Sequence, residues 1–228
     1  MALNRVMIFA KAPVPGRVKT RMLPYLSPSQ AARLQELMIA RSLLSCCQQG
    51  PWSTELWCAP DTKHKFFQEL ALCYSVKLKE QRGIDLGERM AAAFVQNLNA
   101  GDFSVVIGTD CPALNAEHIA LMFQKLAAGM DAVIIPAIDG GYVALGLRTF
   151  APDLFTAVPW GGNQVYLKTI ERMDMLGWRW CALPALWDVD RPDDYLRLEN
   201  SGLIAELPLY LAGNDSHETI RQQILAKP

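Results

Sequence analysis

Apolar residues recur along this chain in two rhythms that alternate from end to end. Short apolar runs with strand character fall at Arg5–Ala10, Thr54–Ala59, Ser104–Ile107 and Asp131–Pro136. Further strands are expected at Ser75–Glu80, which alternates and is the more exposed, at Tyr142–Leu147 and at Trp178–Leu183. Between them the apolar positions recur every three or four residues, the period of a helix with one buried face. The longest such stretch runs from Ser27 or Ser29 to about Gln49, with Leu34, Leu37, Met38, Arg41, Leu44 and Ser45 in register, and Gly50-Pro51 stops it. Other helices are expected over Lys63–Leu72, Glu88–Leu98, from Asn115 with Ile119, Leu121, Met122, Leu126 and Ala127 as apolar positions, Asn163–Leu176 and Asp193–Asn200. Lys11–Pro24, broken by Pro13, Pro15, Gly16 and Pro24, Gln81–Gly87 and Thr149–Gly162 read as irregular.

Strand–helix alternation of this kind means a mostly parallel sheet covered on both faces. The expected fold class is therefore α/β, a three-layer α/β/α sandwich of Rossmann-like kind. No repeat, low-complexity segment or linker interrupts the pattern, so one domain over 1–228 is expected, with its core over about 5–200 and a helical tail over 201–228.

Composition narrows the function classes. The chain has 228 residues, is 51% hydrophobic and carries a net charge of −1. That is too apolar for a disordered chain, and it lacks the basic excess usual for a nucleic-acid binder. No apolar run approaches the roughly 18–20 residues of a membrane span. The run Val6–Ala10 is too short for a secretory leader and leads into Lys11. The cysteines at 46, 47, 58, 73, 111 and 181 show no metal-ligand spacing, so a reduced, cytoplasmic setting is expected.

Two constellations carry chemistry. In Ser104–Leu114 (SVVIGTDCPAL) the strand ends at Gly108-Thr109-Asp110-Cys111-Pro112, since Pro112 has no N–H for a sheet ladder. Asp110 thus lies just past the carboxyl end of a strand, where open α/β sheets bind ligands. A helix cap explains it poorly, because Asn115 is the better candidate. A carboxylate there needs a partner: a divalent cation, a cationic side chain or backbone N–H groups. The second constellation is the loop Lys11–Arg21 (KAPVPGRVKTR), with four cations in eleven residues. Its backbone N–H groups, its prolines, Gly16 and the side chains Lys11, Arg17, Lys19, Thr20 and Arg21 suit a phosphate group, which Arg can grip through two oxygens. The spacing is neither that of a P-loop nor that of a dinucleotide fingerprint.

Three further stretches are candidates. Asp188 and Asp190 alternate across Val189, so in extended chain both face one side. Asp190 also suits a helix cap, with Pro192 in the first turn and Asp193 and Asp194 at the positive helix end. In the Gln81–Arg89 loop two glycines bracket Asp85, which could equally be an N-cap, and Arg89 could equally be a surface side chain. Asp139-Gly140-Gly141-Tyr142 is a turn in which only the Asp-Gly pair is needed for a hairpin.

FAKAPVPGRVKTRM, GTDCPAL, PAIDGGYVALGL and WDVDRPDDY, taken together, resemble a group of small bacterial proteins with a GT-A-like, nucleotide-diphospho-sugar-transferase fold, described as glycosyltransferases. The likeness spans roughly residues 5–200. More distantly the chain is similar to the molybdenum-cofactor and 2-phospholactate guanylyltransferases. One departure stands out: relatives carry Ser-Thr after the tryptophan of the late loop, where this chain has Gly161-Gly162-Asn163 after Trp160.

The resemblance implies that Asp110 binds a metal, with a second carboxylate from Asp188 or Asp190; Mg²⁺ or Mn²⁺ suits such oxygen ligands. It implies that the loop containing Gln81, Gly83 and Asp85 covers the donor nucleotide. It further implies that Asp139, Gly140, Gly141 and Tyr142 meet the sugar or acceptor, with Asp139 a polar contact; Trp160 is a weaker candidate, and the base is Asp139 or a phosphate oxygen of the donor. The expected activity is metal-dependent transfer from a nucleotide donor to a small-molecule acceptor. Glycosyl transfer from a nucleotide-sugar is favoured on resemblance. Nucleotidyl transfer from a nucleoside triphosphate is the alternative, favoured by the loop with Lys19 and Arg21, which resembles a triphosphate cradle, and a non-catalytic nucleotide-binding regulator is the reading of another class. A homodimer through the tail, over Leu203–Leu211, is a further expectation.

Overall fold

A computed structural model describes residues 4–47, 49–98 and 102–203. Seven strands form one sheet: β1 (Asn4–Lys11), β2 (Ser53–Ala59), β3 (Lys77–Glu80), β4 (Phe103–Ile107), β5 (Ala132–Pro136), β6 (Tyr142–Leu147) and β7 (Trp180–Ala182). The helices are α1 (Pro28–Cys46), α2 (Lys65–Tyr74), α3 (Leu86–Asn97), α4 (Ala116–Ala127), α5 (Val165–Met175) and α6 (Pro192–Asn200). Strand order is β3-β2-β1-β4-β6-β5-β7. All neighbours are parallel except β6, which runs antiparallel to both β4 and β5.

The sheet is buried on both faces because its strands carry apolar residues at successive positions. On β1, Val6, Ile8 and Ala10 join a core with Ile39 and Leu43 of α1, Phe67 of α2 and Met122 of α4. Met7 and Phe9 face the other way, onto Met90 and Phe94 of α3 and Met173 of α5. A third cluster lies outside the sheet: Met22, Leu34, Met38, Val189, Tyr195 and Leu198 lock the first loop, α1 and α6 together.

Ser27 caps α1, its hydroxyl accepting the Gln30 backbone N–H while the Gln30 side chain returns to the Ser27 N–H. Several expected details differ. The helix stops at Cys46, short of Gln49. Leu44 and Leu121, expected on inward faces, are exposed, and the inward stripe of α1 runs through Ile39, Ala40, Leu43 and Cys46. Wide apolar faces leave the direction of the stripe ambiguous to periodicity alone. β3 is shorter than expected because Ser75 adopts a left-handed backbone that closes α2. Asp190 does not cap α6. Arg191 occupies that position, and Asp194 reaches back to accept the backbone N–H groups of Asp190 and Arg191. Of the expected tail, residues 204–228 lie outside the described residues, and so does the interface expected over Leu203–Leu211 beyond Leu203.

All six cysteines are free thiols. Among the described residues no helix is long and apolar enough to cross a membrane.

Candidate functional site

β1 lies between β2 and β4, where the strand order reverses. The crevice at the carboxyl ends of such strands is the usual ligand site of open α/β sheets. Here it is a cavity of about 770 Å³ lined by Phe9, Ala10, Lys11, Ala12, Val14, Gly16, Arg17, Thr20, Ala59, Pro60, Gln81, Leu86 and Arg89.

The first loop is a built structure. Lys11 Nζ donates to the Arg17 carbonyl at 2.7 Å, and the Arg17 N–H donates to the Val14 carbonyl at 2.9 Å. Gly16 turns the chain with φ +75°, a left-handed backbone that a side chain would strain. Val18 and Met22 are buried and pin the far end of the loop. Arg17, Thr20 and Arg21 are left on the exposed side.

Lys19 is turned inward. Its side chain is only 3% exposed. Nζ donates to Asp110 Oδ1 at 2.5 Å and to the Val189 carbonyl at 2.6 Å. The Val189 N–H donates to the Asp110 carbonyl at 2.8 Å. One ammonium thus joins the first loop, the end of β4 and the segment before α6. Of the three partners open to Asp110, the structure supplies the cationic side chain. Asp110 itself is half exposed, and so remains open to the crevice.

Val189 is fully buried, which turns Asp188 and Asp190 out of the core. Asp190 pairs with Arg21. That pairing, followed by the fields of Asp190, Asp139 and Asp188, raises the Arg21 pKa above its ordinary value. Asp188 is pushed up to about 6, first by burial and then by the negative charges of Asp139, Asp110 and Asp190. The site therefore gathers four carboxylates around two cations. Among the described residues no three His, Cys, Asp or Glu side chains converge closely enough to hold a metal ion between them.

The loop between β3 and α3 flanks the cavity, which Gln81 before it and Leu86 and Arg89 after it line. Asp85 caps α3 through the Glu88 N–H at 2.9 Å. Glu88 returns a carboxylate oxygen to the Ile84 N–H, and Arg89 Nε donates to the Gly83 carbonyl. Gly83 has φ +145°, and a Cβ there would lie 2.6 Å from that of Glu88. Gln81 spends its amide hydrogens on the carbonyls of Ala10 and Trp57, at 3.2 and 2.7 Å.

The Asp139–Tyr142 turn divides. Asp139 Oδ1 accepts the Gly141 N–H at 2.9 Å, as short side chains do in turns. Gly140 lies against the chain itself: with φ +94°, its Cβ would sit 2.0 Å from the Asn163 carbonyl oxygen. The Tyr166 N–H donates to the Gly140 carbonyl, which ties the turn to the start of α5. Tyr142 turns its hydroxyl toward Met90 Sδ at 3.5 Å, inside the helical layer, where burial raises its pKa. Trp160 packs over Gly87, stacks on Phe155 and meets Tyr142 edge to face. The structure thus brings Lys19, Arg21, Asp110, Asp139, Asp188 and Asp190 together, with Lys11, Gly16, Arg17, Thr20 and Gln81 along the adjoining cavity. Asp85 and Gly83 shape the loop that flanks it. Tyr142 and Trp160 sit in the aromatic layer beside it.

Sequence reasoning missed the supports. Gln35 of α1 donates to Thr109 Oγ1 at 3.2 Å, and Arg41 Nε to the Pro112 carbonyl at 2.7 Å, so α1 holds the Asp110 turn from both ends. Polar residues on the apolar stripe of α1 were the available signal. The bridge of Ala137 to Leu186, which carries the Asp188 segment to the site, has none in the sequence.

Known structures share this architecture. A Desulfovibrio desulfuricans G20 protein, provisionally assigned as a nucleotide-diphospho-sugar transferase, is 28% identical, with 98% of this chain and 99% of that chain covered and a TM-score of 0.79. A cytidylyltransferase from Leptospira borgpetersenii is 13% identical, covers 99% of this chain and 95% of its own, and has a TM-score of 0.55. The glucosyl-3-phosphoglycerate synthase of Mycobacterium tuberculosis, solved with Mg²⁺ and uridine diphosphate, is 12% identical, with 100% and 80% covered and a TM-score of 0.51. The fold is that of the nucleotide-diphospho-sugar transferases, as the motifs imply. No curated protein matches the chain. The stretch carrying Asp110, Asp139 and Trp160 lies within residues 42–162, which match the model described as "Uncharacterized protein conserved in bacteria (DUF2064)", and the chain belongs to that family.

Proposed function

We propose that this protein is a metal-dependent glycosyltransferase that uses a nucleotide-diphospho-sugar. The observation that supports this most is the engagement of the loop cations. Of the four, Lys11 is spent on a carbonyl, Lys19 on Asp110 and Arg21 on Asp190. The loop that looks in sequence like a cradle for a triphosphate thus commits most of its charge internally. What it offers a ligand suits the shorter diphosphate: the Arg17 side chain, the Thr20 hydroxyl and backbone N–H groups.

The donor set fits a hard divalent cation. Such an ion takes one or two carboxylates and completes its shell with phosphate oxygens and water. Asp110 is one ligand, half exposed at the strand end. Asp188 is the second: Asp190 already has Arg21, whereas the charges that dominate around Asp188 are carboxylates. Asp110 and Asp188 would hold Mg²⁺ or Mn²⁺ there, and the ion would offset the charge that builds on a leaving diphosphate. Gln81, Leu86 and Arg89 line the cavity on the side that takes the nucleoside, and Arg89 is held there by the Gly83 carbonyl. Asp139, its Oδ1 oriented by the Gly141 N–H, takes the proton of the acceptor hydroxyl. The acceptor oxygen bonds to the sugar's anomeric carbon, the bond from that carbon to phosphate oxygen breaks, and the nucleoside diphosphate leaves with the electron pair.

The test is a thermal-shift screen of nucleotide sugars and nucleoside triphosphates, each with and without Mg²⁺ or Mn²⁺. A ligand at ~100 times its Kd stabilises the fold by about 2.7 kcal/mol. For a chain of this size that is a rise of roughly 5–10 °C. A metal-dependent rise with a nucleotide sugar supports the proposal and identifies the donor. A rise with triphosphates alone replaces it with nucleotidyl transfer. Binding without metal-dependent turnover on any acceptor would make the protein a nucleotide-binding regulator.

A further inference from the structure

We propose that Gln35 of α1 is a positioning residue for the metal site: through the Thr109 hydroxyl it fixes the direction in which the turn after β4 presents the Asp110 carboxylate. This rests on Asp110 holding the metal, as proposed above.

The turn needs fixing from outside. β4 ends at Ile107, and the Gly108 N–H still donates to the Val143 carbonyl of β6, at 3.1 Å. Beyond that point the chain leaves the sheet. Pro112 has no N–H, and α4 does not begin until Ala116. Asp110 gives its carbonyl to the Val189 N–H and its Oδ1 to Lys19, while its carboxylate stays half exposed. Where the second carboxylate oxygen points therefore depends on how the 109–110 segment is rolled about the strand direction.

Gln35 sets that roll. Its Nε2 donates to Thr109 Oγ1 at 3.2 Å, across 74 residues of sequence. Both partners are buried, Gln35 5% and Thr109 4% exposed. Thr109 cannot turn without breaking this bond inside the core, and Asp110 follows Thr109. The base of the bond is rigid. Ala31, Leu34, Leu37 and Met38 of α1 pack with the first loop and α6, and Ile39, Ala40, Leu43 and Cys46 pack in the sheet core. Gln35 stands one helical turn before Ile39, between the two sets. Arg41 Nε reaches the Pro112 carbonyl from the same helix, so Asp110 is flanked on both sides by contacts to α1.

Stability alone does not account for the pair. Replacing both partners of a buried neutral hydrogen bond by apolar groups of the same shape is nearly neutral. What apolar groups do not supply is direction, since a methyl packs in several rotations and an N–H meets one lone pair. Groups that hold a metal's ligands by hydrogen bonds change its affinity by roughly 10–100-fold when they are removed. Gln35 acts one residue away from the ligand, so the lower end of that range, about tenfold, is expected.

The test separates metal affinity from stability. Mn²⁺ binding to the full chain is measured by electron paramagnetic resonance, alone and with uridine or guanosine diphosphate, and Tm by circular dichroism. The double variant Gln35→Met/Thr109→Val should keep its Tm within about 3 °C of the wild type. It should bind Mn²⁺ about tenfold more weakly. Thr109→Ser keeps the hydroxyl and should keep the wild-type affinity. Mn²⁺ affinity within about twofold of the wild type in the double variant overturns the inference and leaves the donor reading intact. Gln35→Met alone serves if the double variant does not fold: a fall in Tm with Mn²⁺ affinity unchanged marks the pair as packing only and likewise overturns the inference. A wild type that binds Mn²⁺ no better than Asp110→Asn, with either diphosphate or with none, overturns the metal assignment and the inference with it.

Discussion

Replacing Lys19 by Met tests the tie at the centre of the site. Methionine keeps most of the aliphatic stem, so packing changes little, but two charged hydrogen bonds disappear. Bonds to a charged donor contribute about 1.5–3 kcal/mol each. The one to the Val189 carbonyl is buried and is lost in full, leaving that oxygen unpaired. The one to Asp110 is discounted, because its carboxylate is 50% exposed and water replaces the ammonium. The sum is a destabilisation of about 2–3 kcal/mol. For a chain of this length each kcal/mol is roughly 2–4 °C, so Tm should fall by about 5–10 °C in thermal unfolding followed by circular dichroism. A fall of less than about 2 °C would refute the view that this ammonium holds three segments together. The variant has a second signature. Without Lys19, Asp110 has lost its counter-charge, so Mn²⁺ alone should stabilise the variant more than the wild type. Equal Mn²⁺ shifts in the two proteins would mean that Asp110 is not the cation's ligand.

Asp110→Asn should abolish metal-dependent stabilisation by the donor while leaving metal-independent binding measurable; donor binding with its metal dependence unchanged sinks the assignment. The raised pKa of Asp188 makes the folded state bind a proton more tightly than the unfolded one. Without added metal, stability should therefore decline as pH rises from about 4 to about 6 and level off above that. Asp188→Asn should flatten this part of the profile in urea titrations, and an identical profile would show that another group is responsible. Gly140→Ala puts a Cβ 2.0 Å from a backbone oxygen at φ +94°, so it should cost about 2–4 kcal/mol. Gly161→Ala, at φ +85° in open space, should cost only about 1 kcal/mol. Similar Tm losses for the two variants would show that the contact with Asn163 is not what demands glycine.

Much of the fold was legible because its signals are local. An apolar run bounded by Gly and Pro becomes a buried strand wherever the sheet places it, and a Ser-Pro start with Gln three residues on makes a capped helix by itself. The same locality exposed Asp110, since a strand that ends at Gly and Pro must leave the next carboxylate at the sheet edge. It also made Asp188 and Asp190 a pair, because alternation across a buried Val189 follows from extended backbone alone. The helix-end carboxylates were less legible. Asp190 and Asp194 both suit the start of α6, and only the path of the chain decided that Asp194 does the capping.

The partners across the site were not legible at all. Lys19 and Asp110 are 91 residues apart, and Lys19 and Val189 170 apart. Charge and loop composition made Lys19 look like a solvent-facing phosphate ligand. The left-handed turn at Lys19 and the burial of Val18 and Met22 on either side point it inward instead. In the same way the resemblance set Gly140 beside the sugar or acceptor, whereas the space a side chain would take there is filled by the Asn163 backbone. The insertion of β6, antiparallel, between β4 and β5 brings that turn beside Asp110. The sequence by itself determined which residue types stand at strand ends, because strands and caps form from neighbours in the chain. The tertiary structure decided which charges those residues meet, because opposite charges far apart in sequence are joined only by the packing of the elements that carry them.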